Sequence, residues 1–335
     1  MELIAGDIGG TKSWLAWMRD GGETPRFEGV YASPDFASGE DLLNRFLDDA
    51  GRPARPDTLT LALPGPLVAQ RVRLTNLDWT LDASALGRAL GIPRVRFVND
   101  FQAQAAGVAT LGADDVVTLN EAPVQAGGVR AITGAGTGLG LAFMTADGEG
   151  RYTAHATEGG HIDFAPANAQ QARLLDALRA AHGHVSWERV VSGSGFDALY
   201  RFQCAACGEP PPDEPMDGAR LSARAAAGDA IAEATLDLFV DLYGAWVGNV
   251  ALAYQPYGGL YIGGGVSARL AGRLRAPRFL AAACDKGRMR SVVERTPIRL
   301  ITSARLGVQG AIELARTLLV NTTSNSTTAA ARRGT

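Results

Sequence analysis

Two glycine-rich turns hold the residues whose chemistry is easiest to read. Gly6-Asp7-Ile8-Gly9-Gly10-Thr11 and Gly134-Ala135-Gly136-Thr137-Gly138-Leu139-Gly140 each leave one apolar segment and enter another. Glycines at the tip of a strand–turn–strand unit let backbone N–H groups approach an anion that any Cβ would hold off. Thr11 and Thr137 each add a hydroxyl. Asp7 stands where a carboxylate could hold Mg²⁺ through water, as phosphoryl transfer requires. Neither turn is a Walker A loop, which ends in Gly-Lys-Ser/Thr and opens a helix. Alone, either turn reads equally well as a plain tight hairpin. Two of them, one in each half of the chain, are what a duplicated fold needs to grip a polyphosphate. A third cluster, Gly263-Gly264-Gly265, follows a strand and precedes a helix beginning near Ser267. It has room to pass an adenosine closely or to aim a helix N-terminus at phosphate.

Between the turns lie side chains suited to a ring of hydroxyls. Asn99-Asp100 closes an apolar strand and opens a helix, a usual position for a functional carboxylate in an α/β protein. Asp100 also reads as the N-cap of a helix from Phe101 to Val108, and a capping carboxylate can still face a ligand. Glu158-Gly159-Gly160-His161 is a short polar turn, and Glu188 lies in Ser186-Trp187-Glu188-Arg189. Carboxylates, an amide and an imidazole pair directionally with sugar hydroxyls, each of which both donates and accepts.

The elements that must hold these residues follow from periodicity. Strands are expected at Leu3–Ala5, through Trp14 and Leu15, at Leu59–Leu63 and at Arg94–Val98. Helices are expected at Glu40–Ala50 and from the cap Asp82 to Leu90, stopped by Gly91 and Pro93. The same grammar restarts after Thr110 with strands at Val129–Thr133 and Leu141–Thr145 and a helix at Ala169–Ala181. A long helix at Asp229–Tyr254 has Ile231, Leu236, Phe239, Tyr243 and Trp246 on an apolar stripe. Strands at Leu260–Ile262 and Pro297–Thr302 and a helix at Gly307–Leu319 complete the pattern. The class is α/β, with a smaller domain over 1–110 plus 300–320 and a larger one over 111–299. Cys207–Pro215 reads as a surface loop, and 321–335, rich in Thr, Ser and Ala, as a disordered tail.

Bulk properties narrow the partners. A chain of 335 residues with 46% hydrophobic and 20% charged residues is ordinary for a globular protein of about two domains. A net charge of −3 gives no basic footprint for nucleic acid. The N-terminus lacks a basic n-region and a long apolar h-region, and the most hydrophobic helix candidate carries Asp237 and Asp241, so no membrane partner and a cytoplasmic location are expected. Cys204, Cys207 and Cys284 are an odd number, and the lone Cys-x-x-Cys lacks the second ligand pair of a zinc site. Free thiols and no zinc are expected.

Taken in order, these motifs resemble the bacterial glucokinases, a branch of the hexokinase–actin–heat-shock chaperone superfamily. The resemblance runs from Gly6 to about Leu319. It also draws on Thr75-Asn76-Leu77-Asp78-Trp79, on Ile162 to Pro166 after His161, on Val185 to Val190 and on Asp285-Lys286-Gly287-Arg288-Met289. It implies two ribonuclease-H-like (actin-like ATPase) domains flanking a deep cleft, and an ATP-dependent kinase acting on the glucose 6-hydroxyl, the first step of glycolysis. Residues matching Asn99, Asp100, Glu158, His161 and Glu188, with Gly138, would hold glucose, and Asp100 would be the base. Gly6 to Thr11, Gly136, Thr137 and Gly263 to Gly265 would bind ATP with Mg²⁺. The zinc-bearing repressor and sugar-kinase branch does not fit, because no cysteine follows His161 until Cys204. Lys12 departs from the Asn common in relatives and is expected to face solvent. A homodimer is implied. Two alternatives stay open: a kinase for another hexose, and a catalytically idle hexose-sensing protein of the same fold, although an N-terminal helix-turn-helix is missing.

Overall fold

The computed structural model describes residues 1–74 and 77–331, with side chains of the last helix described through Leu318. Thr75 and Asn76 of the Thr-Asn-Leu-Asp-Trp motif therefore lie outside the described residues. The chain divides into two compact units, 1–112 with 303–335 and 113–302.

The first unit is built on strands β1 (Glu2–Ile8), β2 (Lys12–Arg19), β3 (Phe27–Ala32), β4 (Thr58–Leu63) and, after a small hairpin of β5 (Arg71–Arg73) and β6 (Thr80–Asp82), β7 (Arg94–Asn99). The five-stranded sheet has the order β3-β2-β1-β4-β7. Pairing is antiparallel across β3, β2 and β1, and parallel across β1, β4 and β7. Alternation along β1 explains its burial on both faces. Ile4 and Ile8 pack with Leu42, Phe46 and Leu86 of helices α1 (Gly39–Asp49) and α2 (Ala83–Leu90). Leu3 and Ala5 pack on the other face with Ala103, Val308, Ala311 and Ile312 of α3 (Asp100–Gly107) and a C-terminal helix (Leu306–Ala331). Ser38 and Asp82 cap α1 and α2 by accepting the Asp41 and Ala85 N–H groups, and Gly91 ends α2 at φ 68°.

The second unit repeats the plan. Strands β8 (Val116–Asn120), β9 (Arg130–Ala135), β10 (Leu139–Ala146), β11 (Tyr152–Thr157), β12 (Gly259–Gly263) and β13 (Ile298–Ile301) form a sheet of order β11-β10-β9-β12-β13-β8. Two antiparallel pairings are again followed by two parallel ones, and β8 adds an antiparallel edge. Helices α4 (Ala169–His182), α5 (Gly195–Cys207), α6 (Gly218–Ala226), α7 (Ala230–Tyr254), the short α8 (Gly265–Arg269) and α9 (Ala271–Leu274), α10 (Pro277–Cys284) and α11 (Arg290–Glu294) complete it. The C-terminal helix is α12.

Three expectations change. The apolar stripe predicted on α7 widens to nearly its whole circumference, because α5, α6, α10, α11 and β9 all pack against it. By length and composition α7 could cross a membrane, but 72% of its most apolar window is buried in the protein, as in a core helix. The region from Asn321 continues as helix to Ala331, since no Pro or Gly interrupts a helix already nucleated by the packed turns from Leu306; residues 332–335 lie outside the described ones. The cap of α3 is Asn99 rather than Asp100: the Asn99 Oδ1 accepts the N–H groups of Phe101 (2.9 Å) and Gln102 (3.1 Å).

Candidate active site

In the first unit, parallel pairing brings the functional ends of three strands to one edge of the sheet. Asp7 is in register with Ala62 on β4, and Leu63 with Asn99 on β7. The ends of β1 and β7 are therefore two strand spacings apart, about 10 Å. The turn Gly9–Thr11 spans three residues and is closed by Gly9 N–H donating to the Lys12 carbonyl at 3.0 Å. The Ser33 hydroxyl, in the turn that follows β3, donates to the Gly9 carbonyl at 2.6 Å and braces it. Among the described residues the N–H groups of Gly10 and Thr11 donate to no protein acceptor, which suits them to an anion. Lys12 is exposed, with its ammonium 4.7 Å from the centre of the Trp14 ring. Asp100 occupies the first position of α3, and its Oδ1 accepts the Phe101 N–H at 2.9 Å. Because Asn99 takes over the cap, its oxygen is spent there and its amide NH₂ is the group left to bind a ligand.

Asp7 retains some solvent access but is surrounded by protein, and burial pushes its carboxyl up to about 6 against the opposing pull of Lys12. A carboxyl whose pKa is raised on folding binds its proton more tightly in the native state. Its contribution therefore favours folding at acid pH and is lost as pH rises from about 4 through about 6. The rise from 3.8 to about 6 corresponds to a cost of up to about 3 kcal/mol at neutral pH. Asp7→Asn is expected to raise Tm at neutral pH and to leave it almost unchanged at pH about 4. Melting curves at the two pH values check this; a lower Tm at neutral pH refutes desolvation as the dominant force on Asp7.

The second unit gathers its candidates more tightly. Its turn, Gly136–Gly138, again spans three residues between a β-strand pair, and Gly136 N–H donates to the Gly138 carbonyl at 2.8 Å. From below, the Trp246 indole donates to Thr133 Oγ1 (2.8 Å), which donates to the Gly140 carbonyl (2.7 Å). The Tyr243 hydroxyl accepts the Ala135 N–H (3.1 Å). Gly134 lies so close to Gly263, and Gly264 to Ala135, that a Cβ at either glycine would overlap backbone. The third glycine cluster is thus seated against the base of the second turn.

Glu188 is tied to the same turn. Its Oε2 accepts the Leu139 N–H at 2.9 Å and occupies the space that a Cβ on Gly138 would fill. His161 Nδ1 lies 4.0 Å from Glu188 Oε1. The segments carrying them are joined by Trp187 N–H to the Ile162 carbonyl and Phe164 N–H to the Val185 carbonyl, both 2.9 Å. Gly160 packs on the Leu139 carbonyl, where no side chain fits, and this holds the Glu158–His161 turn beside β10. Glu158 and His161 are exposed and Glu188 is half-buried. Gly138, Glu158, His161 and Glu188 therefore form one cluster. A methyl at Gly138 would displace the Glu188 carboxylate. On the sugar-binding role that the resemblance implies for this cluster, Gly138→Ala is expected to raise KM for the sugar at least tenfold or so, the range for a lost charge-assisted hydrogen bond; sugar titrations of the variant measure it.

Sequence reasoning missed the role of α12. Gly307 packs directly against the Asp7 carboxylate, and Gly310 against the Ala103 carbonyl of α3, with no room for a Cβ at either. Gly107 of α3 faces the Leu306 carbonyl in the same way. The Gly-x-x-Gly spacing on one face of an apolar helix was the available signal. Cys204 and Cys207, one turn apart on α5, are free thiols, buried and exposed respectively.

Two sheets of matching strand order, each with a three-residue glycine turn, one followed by a carboxylate at a strand end and the other by a hydroxyl-matching cluster, define a two-domain sugar kinase of the actin-like ATPase fold. The family model described as Glucokinase matches residues 4–318. The chain is 38% identical to the glucokinase of Trichormus variabilis, over 92% of this chain and 97% of that one. It is 35% identical to that of Synechocystis sp., over 93% and 97%. The crystal structure of a glucokinase from an Antarctic psychrotroph superposes with a TM-score of 0.82 at 31% identity, covering 94% of this chain and 99% of that one. The chain belongs to the glucokinase family.

Proposed function

We propose that the chain transfers the γ-phosphoryl group of ATP to the 6-hydroxyl of glucose, giving glucose 6-phosphate and ADP, with Asp100 as the base. The observation that carries this reading is the carboxylate at the start of α3, on the same sheet edge as a turn whose N–H groups suit phosphate. Asp100 takes the 6-hydroxyl proton as that oxygen attacks the γ-phosphorus. Asn99, Glu158, His161 and Glu188, with the bare backbone of Gly138, orient the sugar so that one hydroxyl is presented. Gly6, Ile8, Gly9, Gly10 and Thr11, and Gly136 with Thr137, bind the phosphates; Gly263, Gly264 and Gly265 lie along the nucleoside. Phosphoryl transfer asks for alignment and charge stabilisation more than for covalent help, so one base and well-held partners suffice.

Asp7 would hold Mg²⁺ through water. The fit rests on a carboxylate that accepts no hydrogen bond among the described residues and is costly to leave ionised alone. The ion would supply neutralisation of phosphate charge. The reading extends to a cytoplasmic homodimer acting at the head of glycolysis, on the strength of family membership.

A panel of hexoses with ATP and Mg²⁺, followed by ADP release, tests the function. Strong preference for glucose is the expected result. ADP release without sugar, or equal turnover of epimers, rejects it.

A further inference from the structure

A cluster of arginines lies in the first unit, at the opposite end of β7 from Asn99. A cavity of about 850 Å³ opens along the outer edge of this last strand of the sheet. Four arginines line it: Arg55, Arg88 at the end of α2, and Arg94 and Arg96 on β7. No Asp or Glu is among the described residues that line it. Arg55 Nε donates to the Gly91 carbonyl at 2.9 Å and Arg94 Nε to the Asp57 carbonyl at 3.3 Å, so backbone oxygens hold both side chains at the cavity. Arg88 and Arg96 have no hydrogen-bond or ion-pair partner among the described residues.

Charged side chains on an edge strand also guard it against pairing with another chain. That role is partly filled here by Gln70, whose amide accepts the Phe97 N–H at 2.7 Å and donates to the Phe97 carbonyl at 3.3 Å. Guarding accounts for the exposed Arg55 and Arg88 taken singly, but Arg94 and Arg96 are half-buried on the strand itself. Guanidinium groups gathered around one concavity repel one another, and a bound anion relieves that repulsion. The cavity has the size of a small-molecule site, not of a macromolecular groove, and the chain as a whole is acidic, with a net charge of −3. Planar donor forks favour phosphate or carboxylate oxygens, and the number of them favours more than one anionic group.

We propose that this cavity binds a small polyanion of the pyrophosphate or bisphosphate type, at a site separate from the glycine turns. Inorganic pyrophosphate is the probe. Calorimetric titration of the full chain at low ionic strength, with glucose and a non-hydrolysable ATP analogue at saturation, should show a saturable site that weakens as salt is added. The double variant R88Q/R96Q is expected to bind it at least roughly tenfold more weakly, with Tm and glucose turnover unchanged. R88K/R96K should retain an intermediate affinity, because charge survives but the fork does not. Assignment rests on the variants and not on the blocking ligands, so a wrong view of the catalytic residues would not mask the outcome. Equal affinity in R88Q/R96Q and the parent overturns the proposal. So does a parent without saturable binding, and aggregation of the variant in that case assigns the arginines to edge protection alone.

Discussion

Asp100→Asn is expected to lower kcat by roughly 10²- to 10⁴-fold while KM for glucose moves little, the span that a positioned general base supplies. The substitution keeps the shape of the side chain and an oxygen that can accept the Phe101 N–H, the bond Asp100 Oδ1 makes at 2.9 Å. The turn of α3 is held independently by Asn99, so the helix start survives. What disappears is the capacity to take a proton. A loss confined to kcat identifies an interaction made only in the transition state. Turnover within a few-fold of the parent would remove Asp100 from the role of base, and a parallel rise in KM would recast it as a sugar ligand.

Gly310→Ala should be the most damaging of the small substitutions away from the substrates. Its methyl would overlap the Ala103 carbonyl, on a helix whose Gly107 already abuts the Leu306 carbonyl. Neither atom is at the end of a flexible side chain, so α3 and α12 must separate. Overpacking of this kind typically costs 1–3 kcal/mol, and a backbone–backbone clash belongs at or beyond about 3 kcal/mol. Because α3 begins at Asp100, the same displacement moves the proposed base. Chemical denaturation should show the lost stability, and kcat at a temperature where the variant remains folded should fall with it. A variant of parental stability and turnover would show that the two helices slide at no cost.

Much of the fold was legible because its signals are local. Ser38, Asp82 and Asp229 act as helix caps at positions where acceptor side chains precede apolar periodicity, and Gly91 stops α2 as expected of a glycine before a proline two residues on. The turns at Gly9 and Gly136 were visible as glycine runs between apolar strands. The strands β3, β8 and β11 escaped notice because they are partly exposed and lack continuous apolar character. In the site, the grouping of Gly138 with Glu188 depended on a contact across many residues of sequence, and only the order of motifs hinted at it. Gly307 and Gly310 carry no chemistry of their own. Their importance is the absence of a Cβ at two close approaches; the Gly-x-x-Gly spacing marks a face built for close packing but does not name what packs there.

The first unit is discontinuous: its sheet is finished only when α12, beyond residue 302, covers the face of Leu3, Ala5 and Val98. On the ribosome that face must therefore wait while the intervening unit is made, roughly 10–40 s at ordinary elongation rates. The contiguous unit 113–302 can mature first, while the N-terminal strands keep an apolar face uncovered until the last helix emerges.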